Sequence, residues 1–336
     1  MNSSDIIKVG ETTTLDFFKK KVAVSYFLSV LVFFIHISSF AQYKYSDDIV
    51  SRLLINFHEI TVNFARVAVP FFFMLSGLLF FRHFQSSELK RKLKSRVSSI
   101  VVPYILWNII GVLFAAVTTY FLADFFVGRE KFTFSVPSLL EGVFLYKYNG
   151  QFWFMADLII LIAISPLLFI TLKNKIVSLI TLAVSIVLFI TDITPHYSLV
   201  FYYMGCFIGY NYFDKAQETT KNYFIPAFIL ICCNVFLYFT EWDAIWVIEP
   251  VWLFKLLQIL NLSLFCWSFW QLCDIFYYTK SREFYNYSFW VYALHPNVGG
   301  GGYQIIIYWP AQTRDFLHCK LATNNYLDIV DDQWHS

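Results

Sequence analysis

The sequence predicts an all-α protein, a polytopic transmembrane bundle of about nine to ten spans. Three observations predict it. The 25 basic and 23 acidic residues make up only 14% of 336, against roughly 25% in soluble domains. The hydrophobic fraction is 58%, and 39 Phe, 22 Tyr and 10 Trp bring the aromatics to 21%. Lys and Arg then cluster in alternate loops between the apolar runs. A soluble globule could not cover that much apolar surface with so few charges. A disordered chain would be poor in aromatics and rich in charge. A net charge of +2 carries no nucleic-acid footprint.

A hydrocarbon core about 30 Å thick takes roughly twenty apolar residues per helix. Runs that meet this fall near Val22–Ala41, Ile60–Phe81, Val97–Phe121, Phe152–Leu172 and Ile176–Thr191. Four more fall near Ser198–Phe213, Tyr223–Thr240, Leu256–Tyr278 and Phe284–Val298. The chain thus divides into an N-terminal tail over residues 1–21, a membrane domain over 22–298, and a polar C-terminal tail over 299–336.

Orientation follows from the basic residues, which concentrate in short cytoplasmic loops. Lys19, Lys20 and Lys21 precede the first span, and Arg82, Lys90, Arg91, Lys92, Lys94 and Arg96 separate the second from the third. Lys173 and Lys175, Lys215 and Lys221, and Lys280 and Arg282 occupy every second loop after that. Glu241, Asp243 and Glu249 lie in a loop without Lys or Arg. The alternation predicts a multi-pass protein of the cell membrane with a cytoplasmic N-terminus.

Two end features have alternative readings. Ser39-Phe40-Ala41 resembles a signal-peptide cleavage site, but the polar stretch before it is long and holds Glu11 and Asp16. An uncleaved first span is therefore expected. From Gly299, a four-glycine run leads into a segment containing Arg314, Asp315, Lys320, Asp328, Asp331 and Asp332, where no further span fits. It reads either as a surface tail or as an end altered by, for example, a frameshift.

The six cysteines, Cys206, Cys232, Cys233, Cys266, Cys273 and Cys319, form no CxxC pair. They read as small hydrophobes in a core, and no metal is implied.

Ionisable side chains inside a span are costly and point first to function. At 1.5 Å per residue, His36 stands ~22 Å along the first span from Lys21, and Arg66 ~9 Å into the second from its outer end. By the same rise, Asp157 stands ~8 Å into the fourth, and His295 ~20 Å along the last from Arg282. The four share one depth band towards the outer side.

Each has a structural alternative. Arg66 and Asp157 could neutralise one another as an ion pair between helices. His295-Pro296 could end a helix at the interface, and His36 could hydrogen-bond across the bundle. Ser76-Gly77 could mark a close helix contact. Trp153 and its neighbours could belong to an interfacial aromatic belt.

An imidazole of near-neutral pKa can take the proton of a hydroxyl as it attacks an activated acyl group. A buried guanidinium can steady the negative charge that develops on an acyl oxygen or phosphate. His36 with Arg66 meets both needs. The chain holds no Walker loop, GxGxxG, HExxH or GxSxG, which argues against an ATPase, a dinucleotide dehydrogenase or a soluble-type hydrolase.

At these residues the chain resembles the membrane-bound acyltransferase family 3, the polytopic bacterial O-acyltransferases and O-acetyltransferases. The stretch from Phe27 to His36 resembles the family's first-helix run ending in its histidine. Arg66-Val-Ala-Val-Pro70, continuing to Ser76-Gly77, is similar to the second-helix signature. Val102 to Trp107 after a basic loop, and Phe152-Trp153 to Asp157, resemble the third and fourth segments. Tyr202 to Gly205, and Ser288 through Tyr292 to His295-Pro296, resemble later ones. The likeness runs in order from about Lys19 to Val298. The chain departs from it twice. Many members carry a basic residue where Ser25 stands, with Lys21 one turn earlier here. The family's helix after the late histidine motif has no counterpart run.

The resemblance implies transfer of an acyl group, usually acetyl, from acetyl-CoA or another acyl-CoA to a hydroxyl. The acceptor would be a cell-surface polysaccharide or its lipid-linked sugar precursor. It implies His36 as general base or transient acyl acceptor and Arg66 as the group that binds donor or transition-state charge. Asp157 would orient Arg66, with Trp153, Ser76, Tyr292 and His295 in binding or supporting roles. The lipid bilayer is the one partner the composition itself requires. A secondary transporter or exporter of a glycan or lipid intermediate is the competing reading, because intramembrane charges also line transport paths.

Overall fold

The computed structural model describes Phe17 and residues 20–33, 49–121, 132–194, 196–216, 222–239 and 250–277. His36, Tyr292 and His295, the last expected span and the C-terminal tail lie outside the described residues. The described residues form helices and no strands. They are α1 (20–33), α2 (Ile49–Ala65), α3 (Ala68–Phe81), α4 (Leu89–Arg96), α5 (Val102–Phe121), α6 (Val136–Phe144) and α7 (Trp153–Ala163). Then follow α8 (Ser165–Leu172), α9 (Lys175–Ile190), α10 (Ser198–Asn211), α11 (Phe213–Ala216), α12 (Phe224–Phe239) and α13 (Val251–Tyr277).

Glu59–Phe81, Ser86–Phe121 and Val251–Cys273 are each long and apolar enough to cross a bilayer. Gly150–Ala163 with Ser165–Leu172 make a fourth, bent by 57°. Lys175–Ile190 and Phe224–Leu237 are shorter apolar helices. This is an α-helical membrane protein. The run expected to cross as one helix over Phe152–Leu172 is thus broken at Ile164. Pro166 is the cause, because it has no N–H for the Ile162 carbonyl and its ring crowds that turn. The second expected span, Ile60–Phe81, is met by Glu59–Phe81, with only a local turn inside it. Pro70 cannot bond the Arg66 carbonyl, and the helix parts at Arg66 and Val67. Phe71 N–H resumes the ladder to Val67 O at 3.1 Å.

The chain divides into two compact units, Met1–Val102 with Phe154–Ala293, and Pro103–Trp153 with Leu294–Ser336. In the second, α6 starts at Ser135, whose side chain accepts from Ser138 N–H. Tyr104 Oη donates to Phe144 O (2.7 Å) and Asn149 Nδ2 to Trp107 O (2.8 Å), tying α5 to the segment that follows α6.

The first unit is built on α3 against α10. Gly77 faces the Tyr202 carbonyl, Gly205 the Met74 carbonyl and Gly209 the Leu78 carbonyl, each so closely that an added Cβ would overlap backbone. Small residues four apart, here Gly205 and Gly209, let membrane helices approach to backbone contact. Met74 meets Gly205 as Leu78 meets Gly209, so α3 and α10 run parallel, 131 positions out of step. The same offset brings Arg82 at the end of α3 over the Phe213 ring, 5.0 Å from its centroid. Tyr202 and Tyr203, both fully buried, hydrogen-bond Ser165 (2.8 Å) and Thr171 (2.7 Å), fastening α8 to α10.

The ends of the helices sort by charge. At one end Lys20 stands over Trp270 (4.4 Å), Lys173 over Phe169 (4.9 Å) and Lys175 over Tyr212 (5.2 Å). Lys92 there donates to Phe80 O (2.8 Å) and Arg82 O (3.2 Å), capping the carbonyl end of α3. Burial and the nearby Arg96 charge hold Lys21 below the usual lysine range. At the opposite end Lys255 pairs with Asp192 at 2.5 Å. Basic residues from four different loops or ends thus gather together, as the alternation in the sequence requires of helices that repeatedly reverse.

Candidate active site

The register of α3 on α10 also brings together the residues at their far ends. Arg66 plus the same 131 positions is Tyr197, and the Arg66 guanidinium lies close enough to act on the Tyr197 side chain. Arg66 holds its place at the end of α2, with its N–H on Val62 O (3.1 Å) and Asn63 O (3.3 Å). Pro70 has no N–H to donate to the Arg66 carbonyl, so the backbone is locally irregular at Arg66 and Val67. Arg66 itself is half-buried.

Asp157 comes from the first turns of α7, ahead of the Pro166 break. Its carboxylate meets His196 Nδ1 at 3.3 Å, with the two side chains 23% and 42% exposed. His196 directly precedes Tyr197. Three elements thus converge on a two-residue segment ahead of α10: the α2–α3 break carries Arg66 to Tyr197, and α7 carries Asp157 to His196. The ion partner of Asp157 among the described residues is His196. Such an arrangement sets a fixed positive charge near Tyr197 and, on the residue before it, an imidazole that meets a carboxylate.

Ser76 is half-buried in α3, next to Gly77 at the contact with α10. Trp153 opens α7 in the second unit and is half-buried. Four of the five described cysteines, Cys206, Cys233, Cys266 and Cys273, are buried.

Sequence reasoning missed three residues at this end of the first unit. His196 and Tyr197 sit just before an apolar run and follow no motif. Asn63 is the third. It lies one turn before Arg66, is fully buried, and among the described residues neither Oδ1 nor Nδ2 has a hydrogen-bond partner. Its one signal in the sequence is a polar side chain interrupting an apolar stretch three residues from a membrane arginine.

No curated protein and no solved structure matches the chain. Residues 26–318 match the acyltransferase domain of acyltransferase family 3. That match covers the α2–α3 break, the α3–α10 pair, Asp157 and His196 in one continuous stretch, and runs past His295. The chain belongs to acyltransferase family 3 and is a membrane acyltransferase.

Proposed function

We propose that the protein is an O-acyltransferase that moves an acyl group, acetyl in the first instance, from acyl-CoA to a hydroxyl. The acceptor is a cell-surface polysaccharide or its lipid-linked sugar precursor. The observation that carries the reading is the convergence of Arg66 and the Asp157–His196 pair on one segment, at the end of the bundle opposite the basic loops. A fixed cation faces the side from which a glycan arrives. The basic end, by the rule for cytoplasmic loops, faces the acyl-CoA pool, so the acyl arm reaches Arg66 through the bundle or the acyl group is relayed to it.

The chemistry balances as a transesterification. His36 takes the proton of the acceptor hydroxyl, whose oxygen attacks the thioester carbonyl carbon. A C–O bond forms, the C–S bond breaks, and the imidazolium returns its proton to the leaving thiolate. Arg66 steadies the negative charge on the carbonyl oxygen while it is tetrahedral.

Membranes that carry the chain should transfer radiolabel from acetyl-CoA to envelope glycan, and membranes without it should not. Equal labelling in the two, with acetyl-CoA and with longer acyl-CoA donors, would overturn the reading. Arg66→Lys keeps the charge but loses the planar fork of donors. It should lower the transfer rate about tenfold, the worth of one hydrogen bond to a charged group at about 1.5 kcal/mol. The rate of Arg66→Lys membranes at saturating acetyl-CoA checks this.

A further inference from the structure

We propose that the outward face of α4 is a docking surface for an anionic phospholipid, whose phosphate lies against Lys90, Arg91 and Lys94. This surface is independent of the acyl-transfer reading above.

The residues of α4 divide between two sides of the helix. Leu89, Lys92, Leu93 and Arg96 recur at the spacing of one helical face, and all four are half-buried. Lys90, Arg91 and Lys94 fall on the other side and are exposed. The stripe through Lys90 and Lys94 continues into Val97 and Ser98, which are exposed too. Five of the eight residues of α4 are basic and none is acidic. Glu88, just ahead of the helix, pairs with Arg91 and stands 3.8 Å from Lys92. One carboxylate against three outward cations leaves the face positive.

The inward side fixes the level of this face in the bilayer. Lys92 Nζ donates to the carbonyls of Phe80 (2.8 Å) and Arg82 (3.2 Å) at the end of α3. So α4 stands beside the end of a helix long enough to cross the membrane. Lysine and arginine near the end of such a helix sit where hydrocarbon gives way to headgroups. Val97 lies about 4.5 Å further along the helix than Lys94, in the segment Ser86–Phe121 that is itself long and apolar enough to span. Val97 and Val102 are 52% and 46% exposed, as apolar side chains on a spanning helix are when they face lipid. The surface thus offers cations at one level and exposed apolar side chains next to it.

A ligand that matches carries negative charge at one end and hydrocarbon at the other. Phosphatidylcholine has the phosphate, but its trimethylammonium cancels the charge and is repelled by the lysines. Phosphatidylglycerol keeps its net negative charge, and anionic lipid is what clusters of Lys and Arg beside a membrane helix attract. A soluble phosphate ester shares the headgroup chemistry but leaves Val97 and Val102 uncovered.

The test is native mass spectrometry of the full chain released from nanodiscs that hold equal amounts of phosphatidylglycerol and phosphatidylcholine. The wild-type chain should retain phosphatidylglycerol preferentially. Glutamine suits a helix about as well as lysine, so the double variant Lys90→Gln with Lys94→Gln should keep its thermal midpoint. Its preference should fall about 25-fold, at about fivefold for each lysine near the surface. Lys173→Gln with Lys175→Gln removes the same charge from exposed positions in another loop of the basic end, and should keep the preference. Excess CoA should leave phosphatidylglycerol in place on the wild-type chain.

Equal retention of the two lipids by the wild-type chain overturns the assignment, and so does full preference in the Lys90 and Lys94 variant. An equal loss in the Lys173 and Lys175 variant overturns it in favour of the net charge of that end. Displacement of the lipid by CoA overturns it in favour of a soluble phosphate ester. If the double variant unfolds, Lys94→Gln alone decides, with a loss of about fivefold expected and an unchanged preference overturning the assignment.

Discussion

Gly205→Leu is expected to leave the protein unable to assemble its first unit. The α carbon of Gly205 lies against the Met74 carbonyl, where even one added carbon would overlap backbone. Overpacking a core usually costs about 1–3 kcal/mol because side chains can shift aside. Here the obstacle is the main chain of a neighbouring helix, so α3 and α10 must move apart along their length. That separation would also strip Gly77 and Gly209 of their contacts, and it would draw Arg66 away from Tyr197. The cost should therefore exceed about 3 kcal/mol, a large part of the roughly 5–15 kcal/mol available. The expected readout is loss of the monodisperse peak on size exclusion and a lower midpoint in denaturant. Gly150→Ala is the control, because nothing lies within 4 Å of the added carbon. A Gly205→Leu protein with the wild-type midpoint would mean that the helix register does not depend on this contact.

His36→Ala is expected to reduce acyl transfer by about 10²–10⁴-fold, the usual contribution of a positioned general base. The protein should still fold, since replacing histidine by alanine does not lower the helix propensity of the expected first span. The acetyl-CoA assay on membranes, with equal amounts of wild-type and variant protein, checks it. Acyl transfer at the wild-type rate would remove His36 from the chemistry. It would then pass to the Asp157–His196 pair, whose imidazole directly precedes Tyr197.

Much of the fold was legible in the sequence because a bilayer imposes one strict rule. Every backbone group must be satisfied within the segment that crosses it, so a long apolar run has to be a helix. The expected Ile176–Thr191, Ser198–Phe213 and Tyr223–Thr240 match α9, α10 and α12 to within two residues. Other features depended on competing local chemistry. Pro166 broke the fourth run and Pro70 accompanies a local turn in the second, although hydropathy alone reads straight through both. The α6 helix was not expected, because it is too short for a span and its start rests on the Ser135 cap.

The site divides in the same way. Arg66 and Asp157 stood out because charge in an apolar run is rare and costly. Their partners did not stand out. Whether Asp157 faces Arg66 or His196 is not a property of local sequence, since these residues are separated by 91 and 39 positions. Likewise Asn63 is an ordinary polar residue until its full burial is seen.

Composition, hydropathy and the spacing of Lys and Arg by themselves determined that this is a helical membrane protein, where its helices run and which ends gather the positive charge. They do so because transfer of side chains between water and lipid is a sum over residues, which sequence contains in full. The tertiary structure alone decided which residues meet. A register set by three glycines, each in backbone contact with a distant helix, places Arg66 beside Tyr197 and Arg82 over Phe213. Contact between helices depends on how closely two surfaces fit, and that is a relation between segments far apart in the chain.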